Sequence, residues 1–265
     1  MPLAITRTPS RSMSRCELTH LAREPIDVER ARVQHREYER TLEALGCEVL
    51  SLPADDEFPD CVFIEDTAVV VDELAVITRP GAPSRRGETA AVAVALAGHR
   101  PVASIVEPGT LDGGDVLRVG RKVFVGLGGR TNEAGVAQLR AALAPFGYAV
   151  TPVAVGGCLH LKTAATQVAP ETVLINREWV DASAFARFEK IDVDPAEPMA
   201  ANTLMLEGAV VVARAYPRTA ARLEKAGLAL VRIDMSELAK AEGALTCCSL
   251  LLADRAVPGR AVSTT

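Results

Sequence analysis

Two adjacent cysteines, Cys247 and Cys248, enter an apolar run just after a glycine in the stretch Gly243-Ala-Leu-Thr-Cys-Cys-Ser-Leu-Leu-Leu252. A cysteine acts as a nucleophile through its thiolate, and thiol enzymes gather a histidine and a carboxylate around it from distant parts of the chain. Both partners are present: His160 in Cys158-Leu-His-Leu-Lys-Thr163, and carboxylates in Phe58-Pro-Asp-Cys-Val-Phe-Ile-Glu-Asp66 and Leu111-Asp-Gly-Gly-Asp115. Successive side chains of an extended strand point to opposite faces, so one cysteine of the pair faces a cavity and the other packs as a small hydrophobe. The six cysteines, at positions 16, 47, 61, 158, 247 and 248, show no C-x-x-C spacing. That pattern suggests neither a zinc ribbon nor a disulfide framework, and points to reduced thiols in a cytoplasmic protein.

The elements that must bring these groups together recur along the chain. Each unit has two short β-rich runs across a tight polar turn, an arginine-bearing loop, an amphipathic helix and a closing valine-rich strand. The clearest copy is a hairpin over 115–126, then Arg130-Thr-Asn, a helix near Glu133–Ala144 and a strand at Tyr148–Val155. A second copy has Ala68–Val71 and Leu74–Thr78 about Asp72-Glu73, a helix near Gly87–Ala97 and a strand at Val102–Val106. A third has Thr166–Ala169, Val173–Asn176, a short helix near Asp181–Phe188 and Lys190–Val193; a fourth has Thr203–Glu207, Ala209–Arg214, a helix near Pro217–Ala226 and Ala229–Asp234. The fifth closes through both ends of the chain, with Cys247–Ala253 as a strand, Leu3–Thr6 beside it, a charged helix near Asp27–Leu45 and Cys47–Leu52. Repetition at this period predicts a closed ring, an α/β fold of five ββαβ units with a central cavity. Asp66, Asp112, Asp115, His160 and Cys247 fall at corresponding mouths of different units, where packing alone favours apolar or turn residues.

A chain of 265 residues with 49% hydrophobic, 24% charged and 4% aromatic residues is an ordinary globular composition, and no Pro/Gly/Ser-rich linker divides it. One domain over 1–265 is expected, large enough to need no metal or disulfide for stability. A net charge of −5 offers nucleic acid or an anionic membrane no general attraction and suits a small cationic substrate. The N-terminus lacks the apolar core of a signal peptide, and no apolar run is long enough to span a membrane.

Taken in order, Phe58–Asp66, Ile77-Thr-Arg-Pro-Gly-Ala-Pro-Ser-Arg-Arg-Gly-Glu88, Leu111–Asp115, Leu159-His-Leu-Lys-Thr163 and Leu245-Thr-Cys-Cys-Ser249 resemble the dimethylarginine dimethylaminohydrolases, over nearly the whole chain. That family belongs to the guanidino-group-modifying superfamily of five-bladed α/β-propellers, the penteins. The resemblance implies hydrolysis of Nω-methylated arginines to citrulline and a methylamine through a covalent thiouronium, with no cofactor and no catalytic metal. Catalytic roles carry over to Cys247, His160 and Asp112, with Asp112 supporting the histidine. Substrate-binding roles carry over to Leu18, Asp60, Phe63, Glu65, Asp66, Arg85 and Arg130, the two arginines as ligands of the substrate α-carboxylate. Asp115 reads as structural, satisfying backbone donors of the Gly113-Gly114 turn. The segment Ser10–Thr19 is expected to be a mobile lid carrying Leu18. Lys162 stands where arginine deiminases, in their His-x-Asp motif, have a second carboxylate. The alternatives are a deiminase acting on free arginine, which in that family generally carries an inserted helical domain; a non-catalytic pentein that binds a macromolecule, as ribosome anti-association factors do; and a metal site of Cys247, Cys248 and His160, disfavoured because adjacent strand cysteines point apart. The small-molecule substrate is the expected partner, and the chain acts as a monomer or a homodimer.

Overall fold

The structure, a computed structural model, describes residues 1–253; the final part of the expected 1–265 domain, 254–265, lies outside the described residues. The chain opens with strand β1 (Leu3–Arg7), helix α1 (Val28–Ala44) and strand β2 (Glu48–Leu52). Next come β3 (Ala68–Val70), β4 (Ala75–Ile77), α2 (Thr89–Ala97) and β5 (Val102–Ser104), then β6 (Val116–Val119), β7 (Lys122–Leu127), α3 (Glu133–Leu143) and β8 (Ala149–Ala154). The one-turn helix α4 (Leu161–Ala164) leads into β9 (Ala165–Ala169), β10 (Thr172–Ile175) and β11 (Glu189–Asp192). Last are β12 (Leu204–Leu206), β13 (Ala209–Ala213), α5 (Pro217–Lys225), β14 (Leu230–Ile233), α6 (Ser236–Ala239) and β15 (Leu250–Leu252).

Among the described residues these strands form five separate three-stranded sheets. In four of them an antiparallel hairpin presents one strand inward, and a crossover brings the third strand parallel to the second, as in β6-β7-β8. The remaining sheet joins the two ends of the chain: β15 lies antiparallel to β1 from Leu3↔Leu252 to Ile5↔Leu250, and β1 lies parallel to β2. The fold is therefore the five-bladed α/β-propeller that the repeat pattern predicts.

The apolar core is not on the ring axis. Five buried clusters each bridge two consecutive blades: Leu204 and Val211 meet Ala4, Tyr38 and Leu42, for example, while Val69 and Val76 meet Val125, Val136 and Leu139. Helices whose apolar residues recur at i, i+3 and i+7, such as Val136, Leu139 and Leu143 of α3, bury that stripe in these interfaces. With the hydrophobic residues between blades, the inner ends of the hairpins are left to polar groups.

Two elements differ from the sequence reading. The helix expected near Asp181–Phe188 is only a single 3-10 turn, Ala182–Phe185, capped by Asp181 and pinned by Phe185 stacking 4.7 Å from Phe124. So short a segment fixes too few backbone bonds to propagate an α-helix. Likewise the strand expected from Cys247 begins at Leu250, because Thr246–Cys248 is a 3-10 turn. The two cysteines still diverge, by the roughly 120° step of a 3-10 helix and not by the alternation of a strand.

Candidate active site

Each innermost strand is preceded by a tight turn, and the expected site residues ride on these turns. Asp66 lies on Ile64–Thr67 before β3, Asp112 just ahead of Gly113–Asp115 before β6, His160 at the N-cap of α4 before β9, and Cys247 on the turn before β15. The Gly113-Gly114 pair lets two turns and a histidine ring pass against one another. A Cβ on Gly114 would stand 2.6 Å from His160 Nδ1 and 2.8 Å from Asp66 Oδ1, and one on Gly113 would run into the Glu65 carbonyl.

His160, 4% exposed, is sandwiched between two carboxylates. Its Nε2 is 3.1 Å from Asp112 Oδ2 and its Nδ1 is 3.9 Å from Asp66 Oδ1. Asp112 is aimed by the Gly81 N–H donating to its Oδ1 at 2.8 Å, and Asp66 by the Gly114 N–H at 2.9 Å and Arg85 Nη1 at 2.6 Å. Burial opposes charge on the imidazole, but Asp66, the hydrogen bond that His160 donates to Asp112 and the Asp115 carboxylate outweigh it and raise the His160 pKa to about 9. Asp66 is held below the usual carboxylate range: burial raises it, and His160 and Arg85 more than reverse that. The Cys247 thiol moves the other way, pushed well above its ordinary value by burial and then by Glu65 and Asp66. At neutral pH the site therefore pairs an imidazolium with a neutral thiol.

Cys247, His160, Asp66, Asp60, Phe63, Arg85 and Arg130 line one small cavity of about 20 Å³. Three expected site residues do not. Asp112 stands behind the histidine. Leu18 packs against the cluster containing Met13, Cys16 and Leu245. Glu65 has both oxygens engaged, with Lys162 Nζ at 2.5 Å and Thr246 Oγ1 at 2.7 Å, so it is not open to a guanidinium. Arg85 borders the cavity with Asp66, both oxygens of Glu88 and the Phe63 carbonyl on its fork, which makes it the counter-ion of two buried carboxylates. Arg130 is freer, with Nη2 donating to Thr19 Oγ1 at 3.1 Å and Nη1 3.7 Å from Asp112.

Asp115 is structural, as expected, but its donors are others: Leu161 N–H at 3.0 Å and Thr131 Oγ1 at 2.7 Å, which tie the histidine turn to the second blade. The segment Ser10–Thr19, expected as a lid, is anchored along its first part. Met13 and Cys16 are fully buried, and Ser10 donates to the Pro59 carbonyl. Beyond Cys16 the chain crosses the site as a strap. The Glu17 N–H donates to Asp60, and the N–H groups of Thr19, His20 and Leu21 all point at the Glu242 carboxylate. Glu17 and Glu242, which line the cavity, escaped the sequence reading because their partners lie 43 and more than 220 residues away. Glu242 takes φ +58 beside Gly243, a rare conformation for a non-glycine residue and the one local sign of its task.

Donor atoms of Asp66, Asp112 and His160 lie within 4.8 Å of one another, close enough to hold a metal ion. Their lone pairs are already committed to Arg85, to backbone N–H groups and to each other, a donor set that suits a salt-linked histidine better than a cation. Cys247 and Cys248 do not join this cluster: Cys248 is fully buried and turns its Sγ to the Ala244 carbonyl. All six cysteines are free.

The chain that carries this site is similar in sequence and in fold to known proteins. The sequence model of the arginine deiminase family matches residues 56–201. The N(G),N(G)-dimethylarginine dimethylaminohydrolase of Streptomyces coelicolor is 44% identical over 253 residues, covering 94% of this chain and 96% of the relative. The Pseudomonas aeruginosa enzyme of the same name is 35% identical over 249 residues, covering 93% and 97%. A structure of a Cys-to-Ser variant of the Pseudomonas aeruginosa protein complexed with citrulline superposes with a TM-score of 0.90 at 34% identity, covering 94% of this chain and 98% of that one. The N-terminal domain of ArgZ, a cyanobacterial arginine dihydrolase, shares the fold at a TM-score of 0.86 and 19% identity. Matched along nearly its whole length by such relatives, the chain belongs to the arginine deiminase family and, within it, to the dimethylarginine dimethylaminohydrolases.

Proposed function

We propose that the chain hydrolyses Nω-methylated arginines, asymmetric dimethylarginine and monomethylarginine, to citrulline and dimethylamine or methylamine. The observation that carries the reading is His160, charged up to a pH of about 9 between Asp66 and Asp112, in the same cavity as the Cys247 thiol. An alkylguanidinium is planar, cationic and a poor electrophile, so its central carbon needs a strong soft nucleophile. Docking that cation beside Cys247 offsets the carboxylates that raise the thiol and favours the thiolate, the thiol proton passing to solvent because His160 is already charged. Sulfur attacks the guanidinium carbon, His160 gives its proton to the departing amine, and a thiouronium remains on Cys247. His160, now neutral, takes a proton from water; the hydroxide adds to the same carbon, and the thiolate leaves as citrulline forms. Asp112 keeps the imidazole aimed and charged, Asp66 faces the guanidinium, and Asp60 and Arg130 suit the α-amine and α-carboxylate.

Selectivity follows from Lys162, which occupies Glu65 and places no carboxylate at the far edge of the guanidinium. An unmethylated substrate then buries donors without acceptors, at about 1–3 kcal/mol each, whereas a dimethylated nitrogen has none to satisfy. The catalytic unit is a single domain spanning the five blades. Among the described residues no helix is long and apolar enough to cross a membrane; we place the enzyme in the cytoplasm, as a monomer or homodimer. The test measures citrulline and amine release from arginine, monomethylarginine and asymmetric dimethylarginine. At least a tenfold preference in kcat/KM for the methylated substrates is expected; arginine turned over equally fast with ammonia released makes the chain a deiminase instead.

A further inference from the structure

Four of the five blade mouths supply the groups used above: Asp66, Asp112, His160 and Cys247. The remaining mouth, ahead of β12, holds Asn202, 4% exposed, and both polar atoms of its side chain go to one residue. Its Oδ1 accepts the Thr246 N–H at 3.0 Å and its Nδ2 donates to Thr246 Oγ1 at 3.0 Å. Thr246 Oγ1 in turn donates to Glu65 Oε2 at 2.7 Å, and Glu65 Oε1 holds Lys162, which sits on the helix that His160 caps. A chain of four side chains, buried except at Lys162, thus runs beneath the cavity from the fourth mouth through the fifth and first to the third.

We propose that Asn202, acting through Thr246, is a positioning residue that aims the Cys247 thiol; the inference rests on Cys247 being the nucleophile. Thr246 offers a backbone donor and a hydroxyl oxygen that needs a donor, and a carboxamide presents the matching acceptor and donor side by side. Aspartate has no donor to give and an aliphatic side chain has neither group. The far side of the nucleophile turn is secured independently, by Ser249 Oγ on Tyr38 OH at 2.7 Å and by Cys248 Sγ on the Ala244 carbonyl. Losing the Asn202 clamp therefore leaves the side next to Cys247 on the single bond from Thr246 Oγ1 to Glu65, while the turn stays attached to the ring through Tyr38.

Asn202→Ala and Thr246→Val are compared with Thr246→Ser, with the double variant and with Cys247→Ser, reading kcat, KM, the pH profile and the thermal midpoint with asymmetric dimethylarginine. Small misplacements of a reacting group cost up to ~100-fold in rate, so each of the first two variants is expected to lower kcat ~10–100-fold with KM within about threefold. The alkaline limb near pH 9, which belongs to His160, stays where it is. Thr246→Ser, which keeps the hydroxyl and the N–H, recovers most of the rate, and the double variant loses less than the product of the two single losses, because the two side chains share the Nδ2–Oγ1 bond. The inference is overturned by an unimpaired Asn202→Ala, by strictly multiplicative losses, or by Thr246→Ser as slow as Thr246→Val. Full turnover by Cys247→Ser removes the nucleophile assignment itself; an inactive Cys247→Ser beside an unimpaired Asn202→Ala removes only the role of Asn202.

Discussion

Titrating His160 changes the stability of the protein as well as its activity. The imidazole's folded pKa of about 9 stands above its ordinary 6.5, and at 1.36 kcal/mol per unit the bound proton stabilises the fold by about 3 kcal/mol. Because the folded value is the raised one, this contribution is fully present below pH 6.5, declines through the window from 6.5 to 9, and is gone above it. The buried thiols also hold their protons more tightly in the folded state, Cys158 up to about 12, but their unfolded values lie near 9, so their effect begins where that of His160 ends. Urea unfolding followed by Trp179 fluorescence at pH 6, 7.5 and 9, on the wild type and on His160→Gln, isolates the histidine. The wild-type advantage is expected to shrink by about 3 kcal/mol from pH 6 to 9, in step with a fall of kcat as the departing amine loses its proton donor. An advantage constant within about 1 kcal/mol over that range refutes the salt-linked imidazolium.

Two further substitutions probe the frame around the site. Gly114→Ala forces a methyl group against His160 Nδ1 and Asp66 Oδ1 and is expected to cost at least ~100-fold in kcat with the ring still folded; activity within threefold of wild type contradicts the packing described. Glu242→Ala removes the carboxylate that gathers three N–H groups of the strap, which is expected to raise KM ~3–10-fold and to speed proteolysis between residues 17 and 25, since hydrogen bonds to a charged group at an exposed site contribute about 1–2 kcal/mol. Unchanged KM and cleavage rates mean that Glu242 does not hold the strap over the site.

The repeat was legible because hairpins alternate with period two about polar turns and because crossover helices carry their own period. Acidic residues directly before apolar strands were equally visible, and Asp66 and Asp112 meet at His160. What the sequence hid is non-local. Glu65-Asp66 reads as one acidic pair, yet one carboxylate faces the cavity and the other is spent on Lys162 and Thr246. Arg85 reads as an open cation until Glu88, one 3-10 turn later, is seen to take half its fork. Asn202, just before the fourth unit, carried no signal of its own, because only ring closure brings Thr246 to it. The strand assigned to Cys247 failed because apolar composition outweighed the turn-forming effect of contacts made 44 residues away.

The sheet that joins β15 to β1 makes the enzyme a clasp. A chain with only four blades assembled already owns both carboxylates, the histidine and Arg85, but its nucleophile sits on a segment whose strand has no place to pair until Leu252 reaches Leu3 across almost the entire chain. Closing so long a loop is among the slowest and most entropically costly events in folding, and here it coincides with the delivery of the thiol. The pairing that closes the ring is thus the same one that anchors the strand following the nucleophile.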